Sequence, residues 1–524
     1  MLSLFPFSHK AQLDPLAKHI PSKFYPYTNF CTSEGTFTSL QAQLIFVLIG
    51  EASNPLRKKS MSNKDKKDRK LEKIAANPLS RGVSLFNLSI NSGARFASLK
   101  MKDLFTPKEQ RKERFQHFLS SQAVKIAEEI GKLKGSIMKA GQMLSIYGEH
   151  FLPPEVNKVL KTLQSDSRPV VWSEMEKVLH RQLGAEKLAK LSINQEPIAA
   201  ASMGQVYLAR IKKSKQQVAI KIQYPGVDKA IDSDLKSLKS ILSISNLVPM
   251  GPSFEEVFKE IRMMLHHEAD YSRELSMFQF YQQQLLGDER FIVPTVYPEF
   301  SSKRVLTMSY EEGASVDSQE ILDLDPSRRN LIAAAAMELM FKEIFDWRMV
   351  QTDPHFGNYK IRLANDSKGP DKIILLDFGA VRKFPKKYIE PFAKLVNSAL
   401  NQDISSTISA GRELGFLRDK DGEDVLTLFA KICFTAIEGF NEEFSSPSYD
   451  GSDEGSNPYL WGQTDIIERL TELAKNAVFT FKLRTPPREA IFLDRKMIGM
   501  YTIMAQLKLR MGPRKLLQKY LEPY

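Results

Sequence analysis

The sequence predicts an α+β fold of two lobes, a small β-sheet lobe followed by a larger helical lobe, behind a helical N-terminal extension. Three observations carry this. Residues 196–222 run through β-branched and alternating positions around a small-residue loop and a polar turn, the texture of strand, loop, strand, turn, strand. Residues 318–349, 385–440 and 462–510 are long stretches of good helix formers. Between them lie two polar loops beside a short apolar run at 373–376. These are Gln351-Thr-Asp353-Pro-His-Phe-Gly-Asn358 and Leu375-Leu-Asp377-Phe-Gly379.

Length and composition set the limits. The chain has 524 residues, 42% apolar and 26% charged, enough for a sizeable packed core and more than one domain. Its two cysteines, Cys31 and Cys433, are far apart and lack metal-ligand spacing. Neither a disulfide framework nor a zinc site is expected, which suits a reducing compartment. The net charge of +12 is concentrated: residues 51–115 hold 17 Lys/Arg against 7 Asp/Glu. A basic arm on a near-neutral body suits an anionic surface, either membrane headgroups or nucleic acid. The arm's aromatics are not interleaved as a stacking platform, so no nucleic-acid partner is expected.

The N-terminal 195 residues divide in three. Residues 1–50 lack the charged start and small-residue cleavage site of a clean signal peptide. Met61 opens a Lys-rich stretch, and the expectation is that translation starts there and that 1–60 is unstructured or spurious. Residues 61–105 form the basic arm, whose 82–105 stretch is a candidate amphipathic helix, here expected to pack on the body. Residues 106–195 read as a helical extension, with helix starts at Pro153-Pro154-Glu155 and Ser173-Glu174. Within it, Lys139-Ala-Gly-Gln142 puts Lys139 and Gln142 on one helix face. The longest apolar run, at 42–50, is too short to span a bilayer, and no transmembrane helix is expected.

The small lobe covers residues 196–310. Ala199, Ala200, Ala201 and Ser202 form the small-residue loop, and Val218-Ala-Ile-Lys221 ends the next strand but one. An inward Lys on an apolar strand is expensive unless paired. Helices are expected at 227–250 and 254–280. The second contains Glu268, Asp270 and Glu274, three candidate partners for Lys221, with Glu268 preferred. Strands are expected at 293–297 and 304–308. Ser309, Tyr310, Glu311 and Glu312 then form a hinge where backbone groups meet adenine. Residues 311–524 form the large lobe, interrupted by a polar, acidic loop at 441–458 expected to be disordered.

Asp353 and Asn358 sit five apart, and an Asp-Phe-Gly follows an apolar strand. This is the order of the phosphoryl-transfer half of a protein-kinase-like site. Asp353 can accept a hydroxyl proton or orient a water, and Asn358 and Asp377 offer hard oxygens to Mg²⁺.

Taken together, Lys139-Ala-Gly-Gln142, Ala199-Ala-Ala-Ser202, Val218-Ala-Ile-Lys221-Ile-Gln-Tyr-Pro-Gly226, Glu268-Ala-Asp270, Asp353-Pro-His-Phe-Gly-Asn358 and Asp377-Phe-Gly379 resemble the motifs of the UbiB/AarF-domain atypical kinases. That family includes the coenzyme Q biosynthesis kinase-like proteins, and the likeness covers roughly residues 106–520. It implies that Lys221 contacts ATP phosphates and Glu268 holds it. It also implies that Asp353 stands at the catalytic base position, that Asn358 and Asp377 bind Mg²⁺, and that the Ala-rich loop covers the nucleotide. Lys139 and Gln142 would lie across the site where a protein substrate docks. The family association is with ATPase-like or small-molecule kinase activity linked to isoprenoid quinone lipids at a membrane. The implied partners are an isoprenoid lipid or quinone precursor, an anionic membrane surface and a lipid-biosynthesis enzyme complex. The implied location is cytoplasmic and peripheral to a membrane, or mitochondrial in a eukaryote. Gln351 stands where the family usually has His, and Phe356 where it usually has Pro. An ATP·Mg²⁺-dependent atypical kinase or ATPase is the leading expectation, a non-catalytic nucleotide-gated scaffold the second, and a protein kinase the third.

Overall fold

The computed structural model describes residues 136–147, 169–201, 203–244, 252–364, 369–446, 456–480 and 487–524. The expectations for residues 1–135, including the basic arm, and those for Pro153-Pro154-Glu155, Ser202 and residues 447–455 of the acidic loop lie outside the described residues.

The chain is described first as helix α1 (Ser136–Tyr147) and helix α2 (Trp172–Ala189). Three strands follow, β1 (Leu191–Ala200), β2 (Gly204–Ile211) and β3 (Gln217–Gln223). Helices α3 (Val227–Ile244), α4 (Pro252–Glu268) and α5 (Tyr271–Gln284) come next, then β4 (Phe291–Ile292) and β5 (Val305–Ser309). Strands β1, β2, β3 and β5 form one antiparallel sheet in that order. In β3, Val218, Ile220 and Ile222 are fully buried on one face, while Lys221 lies on the other. The period-two pleat separates the apolar residues from the lysine. Helix α1 packs on α3 and α4, where the Ser136 hydroxyl donates to Asp234 at 2.5 Å.

The larger lobe starts with β6 (Ala314–Ser315), α6 (Gln319–Leu322) and α7 (Pro326–Phe341). A π-helical turn (Lys342–Asp346) leads into β7 (Met349–Gln351). Strands β8 (Tyr359–Arg362), β9 (Lys372–Leu375) and β10 (Val381–Lys383) complete the floor of the site. β10 pairs with β7, and β8 and β9 form a hairpin flanked by β6 and β4. Helices α8 (Lys386–Leu400), α9 (Ile404–Glu413), α10 (Glu423–Ala436), α11 (Ile466–Thr480), α12 (Arg488–Gln506) and α13 (Arg514–Leu521) make up the rest. The α+β, two-lobed kinase-like arrangement expected from the sequence is the one observed. None of the described helices is long and apolar enough to cross a membrane.

Three local expectations are corrected. The single helix expected at 254–280 is broken after Glu268. Asp270 takes an extended conformation (φ −109°, ψ 92°) and its carboxylate accepts the Ser272 N–H at 3.0 Å, which starts a new helix. Capping by Asp wins over continued helix propensity. The break leaves Glu268 at the end of α4 and places Glu274 in the first turn of α5, 1% exposed. The strand expected at 293–297 is reduced to one bridge between Val296 and Met308. Pro294 offers no N–H to a ladder, and the nearby strand, β4, pairs in parallel with β9 instead. β1 begins at Leu191, inside the stretch read as helical extension.

Asp270→Ala should lower unfolding stability by about 1 kcal/mol, the usual value of a lost helix cap. Asp270→Asn, which keeps an acceptor, should cost only a few tenths. Urea denaturation of the two variants beside wild type makes the comparison.

Candidate active site

The cleft between the lobes gathers four acids and three cations. Lys221, on β3, reaches Glu274 with its Nζ 2.8 Å from Oε1 and 3.0 Å from Oε2, and reaches Asp377 Oδ2 at 3.2 Å. The preferred partner from sequence, Glu268, does not hold Lys221. It pairs with Lys139 at 2.9 Å. The reason is the Asp270 cap: it starts α5 so that Glu274 lies under β3, while Glu268 stays on the α4 side facing α1. Tyr271 lies beside Lys221, with the ammonium 5.2 Å from the ring centre. Close approach here requires Gly204, because a Cβ on it would sit 2.5 Å from the Ile222 carbonyl oxygen and 2.7 Å from the Tyr271 hydroxyl.

Charge explains why this cluster holds together. Burial works against the Lys221 ammonium, but Asp377 and Glu274 outweigh it and raise its pKa well above the ordinary value. Burial pushes Glu274 up to about 7, against the pull of Lys221 and with help from Asp377. Two carboxylates thus share one ammonium, which leaves the cluster short of positive charge. That deficit lies beside Asp377.

Asp353 has the opposite balance. Its Oδ1 accepts from Arg495 Nη2 at 2.5 Å, and Lys139 Nζ stands 3.9 Å from Oδ2. Burial opposes ionisation, yet Arg495 and then Lys139 hold its pKa below the usual carboxylate value. Burial likewise opposes the Lys139 charge, and Glu268 with Asp353 raises its pKa regardless. Gln142 lies one turn further along α1 from Lys139. Helix α1 is therefore in direct electrostatic contact with Asp353.

The loop around Asp353 is fixed by its own backbone. Gln351 clamps the Asp353 main chain from both sides: its Oε1 accepts the Asp353 N–H and its Nε2 donates to the Asp353 carbonyl, both at 3.0 Å. Asn358 Nδ2 donates to the same carbonyl at 2.8 Å, and the Thr352 hydroxyl donates to Ala380 O at 2.9 Å. Gln at position 351 thus has a structural use of its own. With its NH₂ group engaged, Asn358 keeps Oδ1 as the atom to serve a cation. Asp377 Oδ1 accepts the Gly379 N–H at 2.9 Å, and Arg273 donates to the carbonyls of Gly379 and Val381. Phe378 is buried, 4.7 Å from the Phe278 ring and 4.2 Å from the Tyr281 ring. One carboxylate and one amide oxygen are hard donors of the kind that could hold a Mg²⁺, an ion that takes waters and phosphate oxygens as further ligands.

The remaining expected residues lie around this centre. Ala199 and Ala200 pair with Val206 and Gln205, and the Ala201 N–H donates to Gly204 O at 2.8 Å, so the Ala-rich stretch is the exposed β1–β2 turn. Ser309 ends β5, and Tyr310, Glu311 and Glu312 connect the lobes. Arg362 ties this connection to β8, with Nη2 2.7 Å from Glu311 Oε2 and Nε donating to Glu312 O at 3.2 Å. Sequence reasoning passed over Arg495, Arg273, Tyr271 and the buried pair Lys496–Glu343. A signal for α12 was present: Arg495 and Lys496 interrupt an otherwise apolar helical face that includes Phe492, Leu493 and Met500.

Comparisons with known proteins point the same way. Residues 162–410 match the ABC1 atypical kinase-like domain family. The mitochondrial atypical kinase COQ8B of Danio rerio is 32% identical over 395 residues, covering 75% of this chain and 60% of that protein. The mitochondrial atypical kinase COQ8 of Saccharomyces cerevisiae is 32% identical over 384 residues, 73% of each chain. The probable serine/threonine-protein kinase abkA of Dictyostelium discoideum is 30% identical over 405 residues, 75% of this chain and 69% of that one. This chain thus spans about two thirds of these relatives' own lengths. A Mycobacterium tuberculosis protein solved in complex with erythromycin shares the fold. Its TM-score is 0.50 at 23% identity, over 78% of this chain and 98% of that one.

Glu274→Gln should destabilise the protein by less than the about 3 kcal/mol usual for breaking a buried pair, because Asp377 still neutralises Lys221. Glu268→Gln, at the more exposed Lys139 pair, should cost less than half of that, both read by chemical denaturation. The depressed Asp353 pKa adds stability that is present above the unfolded carboxylate value near 3.8 and is lost as pH falls through the folded value. The difference in melting temperature between wild type and Asp353→Asn should therefore be full at pH 7. It should shrink once the pH drops below about 4.

Proposed function

We propose, because this chain belongs to the ABC1 family of atypical kinases, that its interlobe site binds ATP with Mg²⁺ and transfers the terminal phosphoryl group to water or a small lipid-like acceptor. Lys221 holds the α- and β-phosphates, and Glu274, rather than Glu268, keeps it in place. The hinge from Ser309 through Tyr310, Glu311 and Glu312 meets the adenine, and Ala199, Ala200, Ala201 and Ser202 cover the phosphates. Asn358 and Asp377 hold the metal, which when bound neutralises phosphate charge. Its position beside Asp377 fits the shortage of positive charge around Glu274 and Asp377. Asp353 orients the acceptor.

The observation that carries the choice of acceptor is the placement of Lys139. Its ammonium bridges Glu268 and Asp353 across the side of the site where a polypeptide hydroxyl would enter. A peptide would have to displace that ion pair, whereas water or a small hydroxyl need not. Relatives named for COQ8 and the resemblance in sequence support a role in isoprenoid quinone (ubiquinone) biosynthesis or transport. The basic arm at 51–115 supports action at an anionic membrane surface, in mitochondria as those relatives are named, with a lipid-biosynthesis complex as the working partner. The engagement of Asp353 by Arg495 at 2.5 Å favours a second reading, a nucleotide-gated scaffold that binds ATP·Mg²⁺ without turnover.

ATP turnover with and without anionic liposomes separates the two. Under the first reading the wild type hydrolyses ATP, and Asp377→Asn loses at least about 100-fold in kcat. Mg²⁺-dependent ATP binding with no turnover under any lipid condition supports the scaffold. Lys139→Ala should shift nucleotide preference or permit self-phosphorylation, read by mass spectrometry of the protein after incubation with ATP.

A further inference from the structure

We propose that the buried Lys496–Glu343 ion pair is a positioning device that keeps Asp353 and Asp377 in register with one another. The pair is short, 2.5 Å from Nζ to Oε2, and its side chains are 1% and 2% exposed. A buried pair of this kind is a weak contributor to stability, because apolar residues of similar volume often serve as well or better. Its use must be sought in what it holds.

Two arms leave the pair. Arg495, the neighbour of Lys496 on α12, grips the Asp353 carboxylate. Gly499, one turn on, packs so closely on Pro354 that a Cβ would meet its ring at 2.3 Å. Fixing Lys496 therefore fixes the rotation of α12 against the catalytic loop. The second arm starts at Glu343, in the π-helical turn before β7. Such turns are frequent at functional sites because they redirect one side chain out of the helical register. Glu343 Oε1 accepts the Tyr281 hydroxyl at 2.7 Å, and the Gln351 main chain reaches the same carboxylate. The Tyr281 hydroxyl also lies 3.2 Å from Met349 O, while its ring stands against Phe378, the residue after Asp377. Tyr281 is seven residues along α5 from Glu274, on the same face, so this arm ends at both partners of Lys221. One buried carboxylate is thus tied to the catalytic loop, to the Asp-Phe-Gly turn and to α5.

Lys496 and Glu343 act through Arg495 and Tyr281. They are positioning residues, and the inference rests on the proposed phosphoryl-transfer site. The test compares wild type, Lys496→Met, Glu343→Gln, the double variant and Leu517→Ala, a buried residue on α13 that serves as a control for lost stability. Full-length proteins are assayed for MgATP turnover, for ATP affinity with and without Mg²⁺, and for melting temperature. Each single variant should lose at least about 10-fold in kcat with KM within about 3-fold. The Mg²⁺-dependent gain in ATP affinity should also shrink. The double variant should recover melting temperature, since no unpaired charge remains, yet keep the low kcat. Leu517→Ala should melt earlier with kcat nearly unchanged. The proposal is overturned if the double variant regains wild-type kcat. It also fails if the single variants lose no more kcat than Leu517→Ala does. Absence of Mg²⁺-dependent ATP binding in the wild type would instead overturn the nucleotide site, and this inference with it.

Discussion

One ammonium, that of Lys139, spans the carboxylates of Glu268 and Asp353, and the character of the site follows from it. The contact joins a helix that precedes the small lobe to the Asp353 loop of the large one. It keeps Asp353 ionised, together with Arg495 from α12. A carboxylate held by two cations is a poor general base, because its proton affinity is low. It is well suited to orienting an acceptor and to stabilising positive charge nearby. The neighbouring cluster is complementary: among the described residues, Glu274 and Asp377 share the single ammonium of Lys221. Charge is thus balanced around Asp353, where Lys139 and Arg495 face Asp353 and Glu268, and short of positive charge around Glu274 and Asp377.

Helix α12 ties this electrostatic arrangement to the packing of the large lobe. Besides Arg495 and Lys496, it starts with Arg488, whose Nε lies 2.6 Å from Glu260 on α4. Arg382, on β10 just after the Asp-Phe-Gly turn, pairs with the same carboxylate at 2.6 Å and lies over Phe492 of α12 with its guanidinium 3.6 Å from the ring centre. Helix α4, the strand after the Asp377 turn and α12 are thereby joined at one carboxylate.

Much of this was legible in the sequence. The strand texture around Lys221, the spacing of Asp353 and Asn358, and the apolar strand before Asp377 each report a local requirement, and local requirements leave local patterns. The choice among Glu268, Asp270 and Glu274 was not legible, because it turns on one cap. Asp270 could continue a helix or start one, and only the packing of α5 beneath β3 decides. Arg495 and Lys496 were hidden for a different reason. They lie about 140 residues from the loop they hold, and a charged pair within an apolar helix does not reveal its partners. The bridge at Val296 shows the limit of strand propensity, since the stretch has the residues of a strand but Pro294 withholds a donor.

The destination of the phosphoryl group distinguishes a site closed to peptides from one open to them. Full-length protein is incubated with Mg²⁺ and ATP labelled at the γ-phosphate, together with a degenerate Ser/Thr/Tyr peptide library and liposomes. Label is expected in inorganic phosphate or in a small lipid-phase product, with none above background on peptides. Stoichiometric label on library peptides, with Lys139 and Asp353 intact, would contradict it.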